Sequence, residues 1–261
     1  MRTLFGQLVE NSGGFMQGKM GIMVIVLAGL VFSCSDNSTD GGAKNDPGTQ
    51  PADLPSSGLV AWYPLDGNAV DGSSNKNDGT IGGGSPAAAP NRKGTAGKAT
   101  VFNGTTDYFT IPTSSSLESP DTALTLAVWV NTNALASIWA SPLAKSNTSA
   151  EALYRIGYSP YSAYGVFNGM TLTFSGTIEI KSWVFLAITY SKAFGKMVFY
   201  RNGEKFGEVA GNITPGTDKK GNLEIGRDTP YATEYFNGSI DDLRIYNRAL
   251  TPEEIKKLYG E

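Results

Sequence analysis

The 261-residue chain carries a net charge of −3, is 40% hydrophobic and 17% charged, and contains one Cys and no His. The missing imidazole excludes Ser-His-Asp and Cys-His catalysis and any His-ligated zinc, and a single thiol excludes an internal disulfide framework. No basic face is evident, which argues against nucleic acid as a partner. What remains is carboxylate, Lys or Tyr chemistry, and oxygen donors for a metal, calcium first. Thirty-two Gly, 11% aromatic residues and few helical periodicities predict an all-β protein.

The N-terminus reads as an address. Gly21 to Phe32 is an apolar run preceded by Lys19 and followed by Ser33-Cys34. It is too short for a bilayer span, which takes about 20 residues, and fits a signal-peptide core. Met16-Gln17-Gly18-Lys19 would itself make the basic leader, so Met16 is an alternative start within a 1–33 signal peptide. Cys34 follows a small residue at the expected cleavage point. This resembles a bacterial lipobox, with Cys34 as the lipidated first residue of the mature chain. Residues 34–57 are rich in Ser, Asp, Asn, Gly, Thr and Pro and predict a disordered tether. The acidic stretch after Cys34 resembles the surface-export signal of Bacteroides-type lipoproteins, although an ordinary solvated linker has the same composition.

From Gly58 onward the pattern is strands and turns, forming one domain over 58–261. Leu59 to Leu65 is the first strand, followed by a polar loop from Asp66 to Gly84 with a short strand around Thr80-Ile81. Ala99 to Phe102 and Tyr108 to Ile111 flank Asn103-Gly104, a hairpin signal. Leu124, Leu126, Val128 and Val130 share one strand face, as do Val184, Leu186, Ile188 and Tyr190. Trp129 and Trp183 lie on the opposite faces and are read as packing residues. Lys196 to Tyr200 and Lys205 to Val209 surround Asn202-Gly203, a type I′ hairpin signal. Asn222 to Gly226 is another strand. Ile240 and the pair Leu243, Ile245 are apolar in opposite phase, so the last strand must bulge or turn at Asp241-Asp242, unless that pair is a solvated edge. Thr251 and Glu254 form a capping box with Pro252 at the first helical position, which predicts a short closing helix ending at Gly260. About a dozen short strands at this spacing predict an antiparallel sandwich.

Several blocks occur in a telling order: Gly58 to Ala69 with Asp71 and Asn77-Asp78-Gly79, Val101 to Gly104 with Asp107-Tyr108, Leu124 to Val130, Trp183 with Ala187 to Tyr190, Phe199 to Glu204, Leu223 to Gly226, and Tyr235 to Leu250. Together they resemble laminin-G-like domains of the concanavalin A-like lectin/glucanase superfamily. The resemblance implies an all-β, two-sheet antiparallel jelly-roll with a short C-terminal helix. Such folds host lectins, glycan-binding modules, adhesion domains and hydrolases alike.

Glycosidases of this fold cluster carboxylates on alternate residues of one strand, a pattern absent here. Glu224 and Asp228 would lie roughly 13 Å apart on a continuous strand. Retaining pairs need about 5 Å and inverting pairs about 6.5–9.5 Å. In related domains a structural cation can sit between the first loop and the last strand. By that resemblance Asp66, Asp71, Asn77 and Asp241 or Asp242 are candidate calcium ligands, with Asp242 preferred as the inward carboxylate. Asx-turns and solvated acids account for the same residues without a metal. For a sugar, exposed rings are the expected platform, and Trp139, Tyr158, Tyr161, Tyr164 and Tyr231 fall in loop-rich regions, though rim packing is the alternative for each. The expectation is therefore a non-catalytic, lipid-anchored carbohydrate-binding module at the outer-membrane surface. A divergent glycoside hydrolase and a protein–protein adhesion or assembly module are the alternatives.

Overall fold

The computed structural model describes residues 50–118, 121–135, 140–146, 152–159, 162–175, 179–214, 218–228 and 234–261. The strands are β1 (Leu59–Tyr63), β2 (Thr80–Gly83), β3 (Ala87–Ala89), β4 (Ala99–Asn103), β5 (Tyr108–Ile111), β6 (Ala123–Thr132), β7 (Ala140–Ser146), β8 (Ala152–Ser159), β9 (Ser162–Phe167), β10 (Met170–Ser175), β11 (Trp183–Ser191), β12 (Lys196–Arg201), β13 (Glu204–Ala210), β14 (Leu223–Ile225) and β15 (Asn237–Tyr246). One helix, α1 (Pro252–Gly260), follows. The strands form two antiparallel sheets, the jelly-roll sandwich expected from the sequence. The first runs β13-β12-β11-β6-β15-β4-β3 with β1 also paired to β15, and the second runs β10-β9-β8-β7-β14-β5-β2.

Period-2 patterning sets the core. Leu124, Leu126, Val128 and Val130 of β6 and Val184, Leu186, Ile188 and Tyr190 of β11 all point between the sheets. They meet Phe109, Leu143, Ile156, Phe167 and Ile225 of the second sheet. Burying each large apolar side chain contributes roughly 1.5–3 kcal/mol. The alternate residues of the first sheet build a second core on its outer face, where Ala127, Trp129, Phe185 and Tyr246 pack against Leu250, Ile255 and Leu258. Trp129 stacks on Tyr259 of the helix with ring centroids 5.4 Å apart. Both tryptophan faces thus serve packing, as the strand phase predicts.

The phase slip in the last strand is a bulge. β15 pairs Asp241 with Trp129 and Arg244 with Ala127, so two residues, Asp242 and Leu243, face Val128 alone. Asp242 takes φ +49°, a left-handed conformation that Asp tolerates better than most residues. The bulge also divides the strand's other edge, with β4 pairing Asn237 to Ile240 and β1 pairing Leu243 to Tyr246.

Three expectations need correction. Asn103-Gly104 is a corner, since β4 belongs to the first sheet and β5 to the second. The Asn103 carboxamide oxygen accepts the amides of Thr105, Thr106 and Asp107 and winds the chain across. The tyrosine-rich midsection is strand, with Tyr158 in β8 and Tyr164 in β9. The tether does not persist to residue 57. Leu54 is 6% exposed and joins the second core, while Tyr246 donates its hydroxyl to the Pro55 carbonyl at 3.0 Å. By contrast, Asn202 and Gly203 take φ +49° and +77°, as a type I′ hairpin between β12 and β13 requires.

The helix keeps its predicted capping box, with Thr251 Oγ1 accepting from Glu254 N and Glu254 reaching back to Thr251 N at 2.9 Å. Gly260 is its last helical residue rather than a left-handed cap, and Glu261 is held instead by Arg92 and Arg244. Leu258 is fully buried against the sheet. Leu258→Ala should cost about 2–4 kcal/mol in chemical denaturation, whereas Lys257→Ala on the exposed side should change stability by no more than about 0.5 kcal/mol.

Candidate functional site

The residues expected to hold calcium are each engaged by partners of their own rather than gathered around one point. Asp71 is buried and closes the first loop onto β1. Its Oδ1 accepts the amides of Trp62 at 2.9 Å and Ser73 at 2.8 Å, and its Oδ2 accepts Ser73 Oγ at 2.9 Å and the Asn77 amide at 2.8 Å. Asn77 spends its carboxamide on Val60, Ser114 and Ser116. Asp66 pairs with Lys98 at 2.5 Å. Asp241 pairs with Arg92 at 2.5 Å. Asp242, buried as Asp241 is, accepts Trp62 Nε1 at 2.7 Å and Arg244 Nε at 2.9 Å.

Every one of these carboxylates is already met by N–H, O–H or a cationic side chain. Among the described residues, no three acidic or thiol side chains converge as a metal site. The donor set does not fit calcium. The bulge does aim a carboxylate at a cation, but the cation is Arg244, whose guanidinium is buried, lies 5.1 Å from the Trp62 ring and bonds Glu261 at 2.7 Å.

Of the rings expected to stack on sugar, Tyr158 and Tyr164 are 4% and 3% exposed and present no free face. Tyr158 packs on Phe236 in the core, and Tyr164 lies beside Ser141 Oγ. The Ser and Pro loop signal misleads here, because both tyrosines lie in the paired strands β8 and β9. Trp139, Tyr161, Tyr231 and Cys34 lie outside the described residues.

A polar cluster that sequence reasoning only touched, at Glu224 and Asp228, occupies the outer face of the second sheet. Glu224 of β14 holds Arg227 through two bonds of 2.7 and 2.8 Å. The Arg227 guanidinium lies 3.7 Å above the Tyr108 ring and 5.8 Å from that of Tyr235. The other side of Tyr108 is pressed on backbone, where a Cβ at Gly82 would stand 2.1 Å from the ring. Next to this, Asp228 is fully buried and is bonded by Arg155 of β8 and, at 3.3 Å, by Ser141 of β7. The backbone closes Asp228 N onto Glu234 O at 3.0 Å and brings the two carboxyls close enough for the Asp228 charge to act on Glu234. Residues so far apart in sequence offered no motif, because the chain's return at 234 is what joins them.

Two carboxyls in contact cannot both ionise cheaply. Burial pushes Asp228 up to about 6, against the pull of Arg155, and burial with the charge of Asp228 pushes Glu234 up to about 7. The pair titrates as one system that shares a proton below neutrality. With that proton the cluster of Arg155, Arg227, Glu224, Asp228 and Glu234 is charge-balanced. Arg227 clamps Glu224 and Arg155 clamps Asp228.

The sandwich, its closing helix and its bulged last strand define a jelly-roll of the lectin type. The chain belongs to the concanavalin A-like lectin/glucanases superfamily, with residues 103–256 matching its laminin G model. No curated protein sequence matches the chain. Among solved structures it is similar to domain 4 of AbnA, a GH43 extracellular arabinanase from Geobacillus stearothermophilus, in complex with arabinotriose. That likeness has 25% identity and a TM-score of 0.57, and covers 77% of this chain and 98% of that domain. The binding domain of Paraclostridial Mosquitocidal Protein 1 shares 16% identity at a TM-score of 0.62, over 77% of this chain and 52% of that one. The Trypanosoma rangeli sialidase solved with sialic acid shares 16% at 0.61, over 79% and 33%. The chain therefore spans about half of the toxin domain and a third of the sialidase, and these two likenesses are of fold.

Two outcomes follow. Added calcium or a chelator should shift the melting temperature by less than about 1 °C, while Asp242→Ala, which strands a buried guanidinium, should cost about 3–5 kcal/mol regardless of calcium. For the acid pair the folded pKa values lie above the unfolded ones, so the native state binds more protons between about pH 4 and 7. The pair's contribution is therefore present at low pH and lost as pH rises through about 7. Glu234→Gln replaces the shared proton with a permanent donor. Denaturation from pH 5 to 8 should show the wild type losing on the order of 2 kcal/mol more than this variant.

Proposed function

We propose that this chain is a non-catalytic carbohydrate-binding module, lipid-anchored through Cys34 and displayed at the outer-membrane surface. The observation that carries the reading is the likeness to the arabinanase domain. It extends over nearly that whole domain, and the domain was solved with a trisaccharide bound. The internal charge balance supports it. Buried carboxylates locked by Arg155, Arg227, Arg92 and Arg244 suit a rigid binding scaffold, whereas hydrolysis needs one carboxyl free to protonate a leaving group and another free to attack or to activate water. Anchoring rests on the apolar run that ends beside Cys34, with membrane contact through lipid alone.

Calorimetric titration of the protein with linear arabino-, xylo- and gluco-oligosaccharides should give saturable binding to at least one series, with Kd in about the micromolar to millimolar range. A parallel reducing-end assay should stay flat. Release of reducing ends would establish a hydrolase, and silence in every titration would favour a protein–protein adhesion module. Cys34→Ser should move the protein from the membrane fraction to the soluble one.

A further inference from the structure

α1 covers only part of the first sheet's outer face. Where strands β11 to β13 run past the start of the helix, a groove of about 510 Å³ opens between them and the Ala249–Glu253 connector. Its volume lies in the range of small-ligand sites, which are about 300–1,000 Å³. Val198, Tyr200 and Leu250 form an apolar floor that continues the second core. Phe194, on the turn between β11 and β12, stands at the rim and is 77% exposed, the most exposed large apolar side chain among the described residues.

The backbone that carries the rim ring is held in place. Its turn is pinned at both ends, with the Lys192 amide donating to Thr122 O at 2.8 Å and Gly211 N to Gly195 O at 2.8 Å, and the Phe194 amide donates to Ser191 Oγ at 3.3 Å. A ring held outward on rigid backbone loses little freedom on binding. Polar groups surround the floor. Thr189 and Ser191 line it, and Glu208 draws Lys196 and Lys205 together at 2.9 and 3.0 Å across the mouth. With Glu253 at the connector, two cations face two anions. A strongly anionic or cationic ligand gains nothing from such a mouth. A neutral molecule with one C–H-rich face and hydroxyls at its edges matches it.

We propose that this groove is the saccharide site of the module, taking one or two units of a neutral glycan whose ring face lies on Phe194 and whose hydroxyls bond Glu208, Lys196 and the Ser191 edge. The assignment rests on the carbohydrate-binding reading above and adds to it the face of the sandwich and the neutral class of ligand. It also places the site on the sheet opposite the one that carries the Glu224–Arg227 cluster.

The test uses the full chain with arabinotriose, xylotriose and cellotriose as probes, read by calorimetry and by saturation-transfer NMR. Phe194→Ala should weaken the best probe by about tenfold or more, and Glu208→Gln by roughly threefold, with unchanged melting temperature. Arg227→Ala on the opposite face should leave affinity within about twofold. Because Phe194 is exposed, its removal leaves the core intact and loss of binding cannot be read as loss of folding. Wild-type affinity in Phe194→Ala, or loss of affinity in Arg227→Ala alone, overturns the groove while leaving a carbohydrate-binding module standing. A wild type that binds no probe, and none of the longer neutral series, overturns both. Tighter binding of an acidic oligosaccharide than of any neutral one overturns the ligand class.

Discussion

Burying a guanidinium beneath the closing helix is the constraint around which this sandwich is arranged. Arg244 is fully buried in the middle of the last strand, and a lone charge there would be prohibitive. Its compensation comes from three directions: Asp242 two residues earlier, Glu261 at the end of the helix, and the face of Trp62 on β1. Asp242 can reach it only because the strand bulges, and the bulge in turn lets β15 exchange one neighbour for another along the same edge. Removing any member leaves the others charged and dry. Helix docking, first-strand pairing and the bulge are thus one cooperative unit.

The same logic governs the other sheet. There Arg155 and Arg227 neutralise acids on an outer face, and the surplus carboxyl is accommodated by a shared proton. Charges paired in this way stiffen the face that carries them. The open chemistry of the molecule lies elsewhere, where hydroxyls and an exposed ring are presented around an apolar floor.

Much of this was legible in the sequence because it is written in short periods. The alternation in β6 and β11, the Asn202-Gly203 turn and the Thr251–Glu254 box each depend on residues within a few positions, and each formed as the local physics requires. The change of phase at Asp241-Asp242 announced the bulge. Its electrostatic purpose was misassigned, because loop acids such as Asp71 look like metal ligands until their N–H donors are seen. Asn103-Gly104 carries a hairpin signal yet turns a corner, since nothing local says which sheet β5 will join. Tyr158 and Tyr164 look like loop residues beside Pro160, and only the second sheet's pairing shows them as buried strand positions. The approach of Asp228 to Glu234, and the groove that Phe194 and the helix connector line together, are products of tertiary closure alone.

The segment around Leu54 and Pro55 has a mechanical meaning. It clips the chain onto the helix side of the first sheet just before β1 begins, through Leu54 in the outer core and the Tyr246 and Arg248 bonds to Pro55 and Ser57. Were the chain tethered by its N-terminus and a polymer seated near Phe194, tension would run between two points on that same layer. The load would then pass through β1, β15 and their neighbours across the first sheet, where Arg244 pairs with Asp242 and Glu261. The second sheet, with its raised-pKa acids, would lie off that line of force.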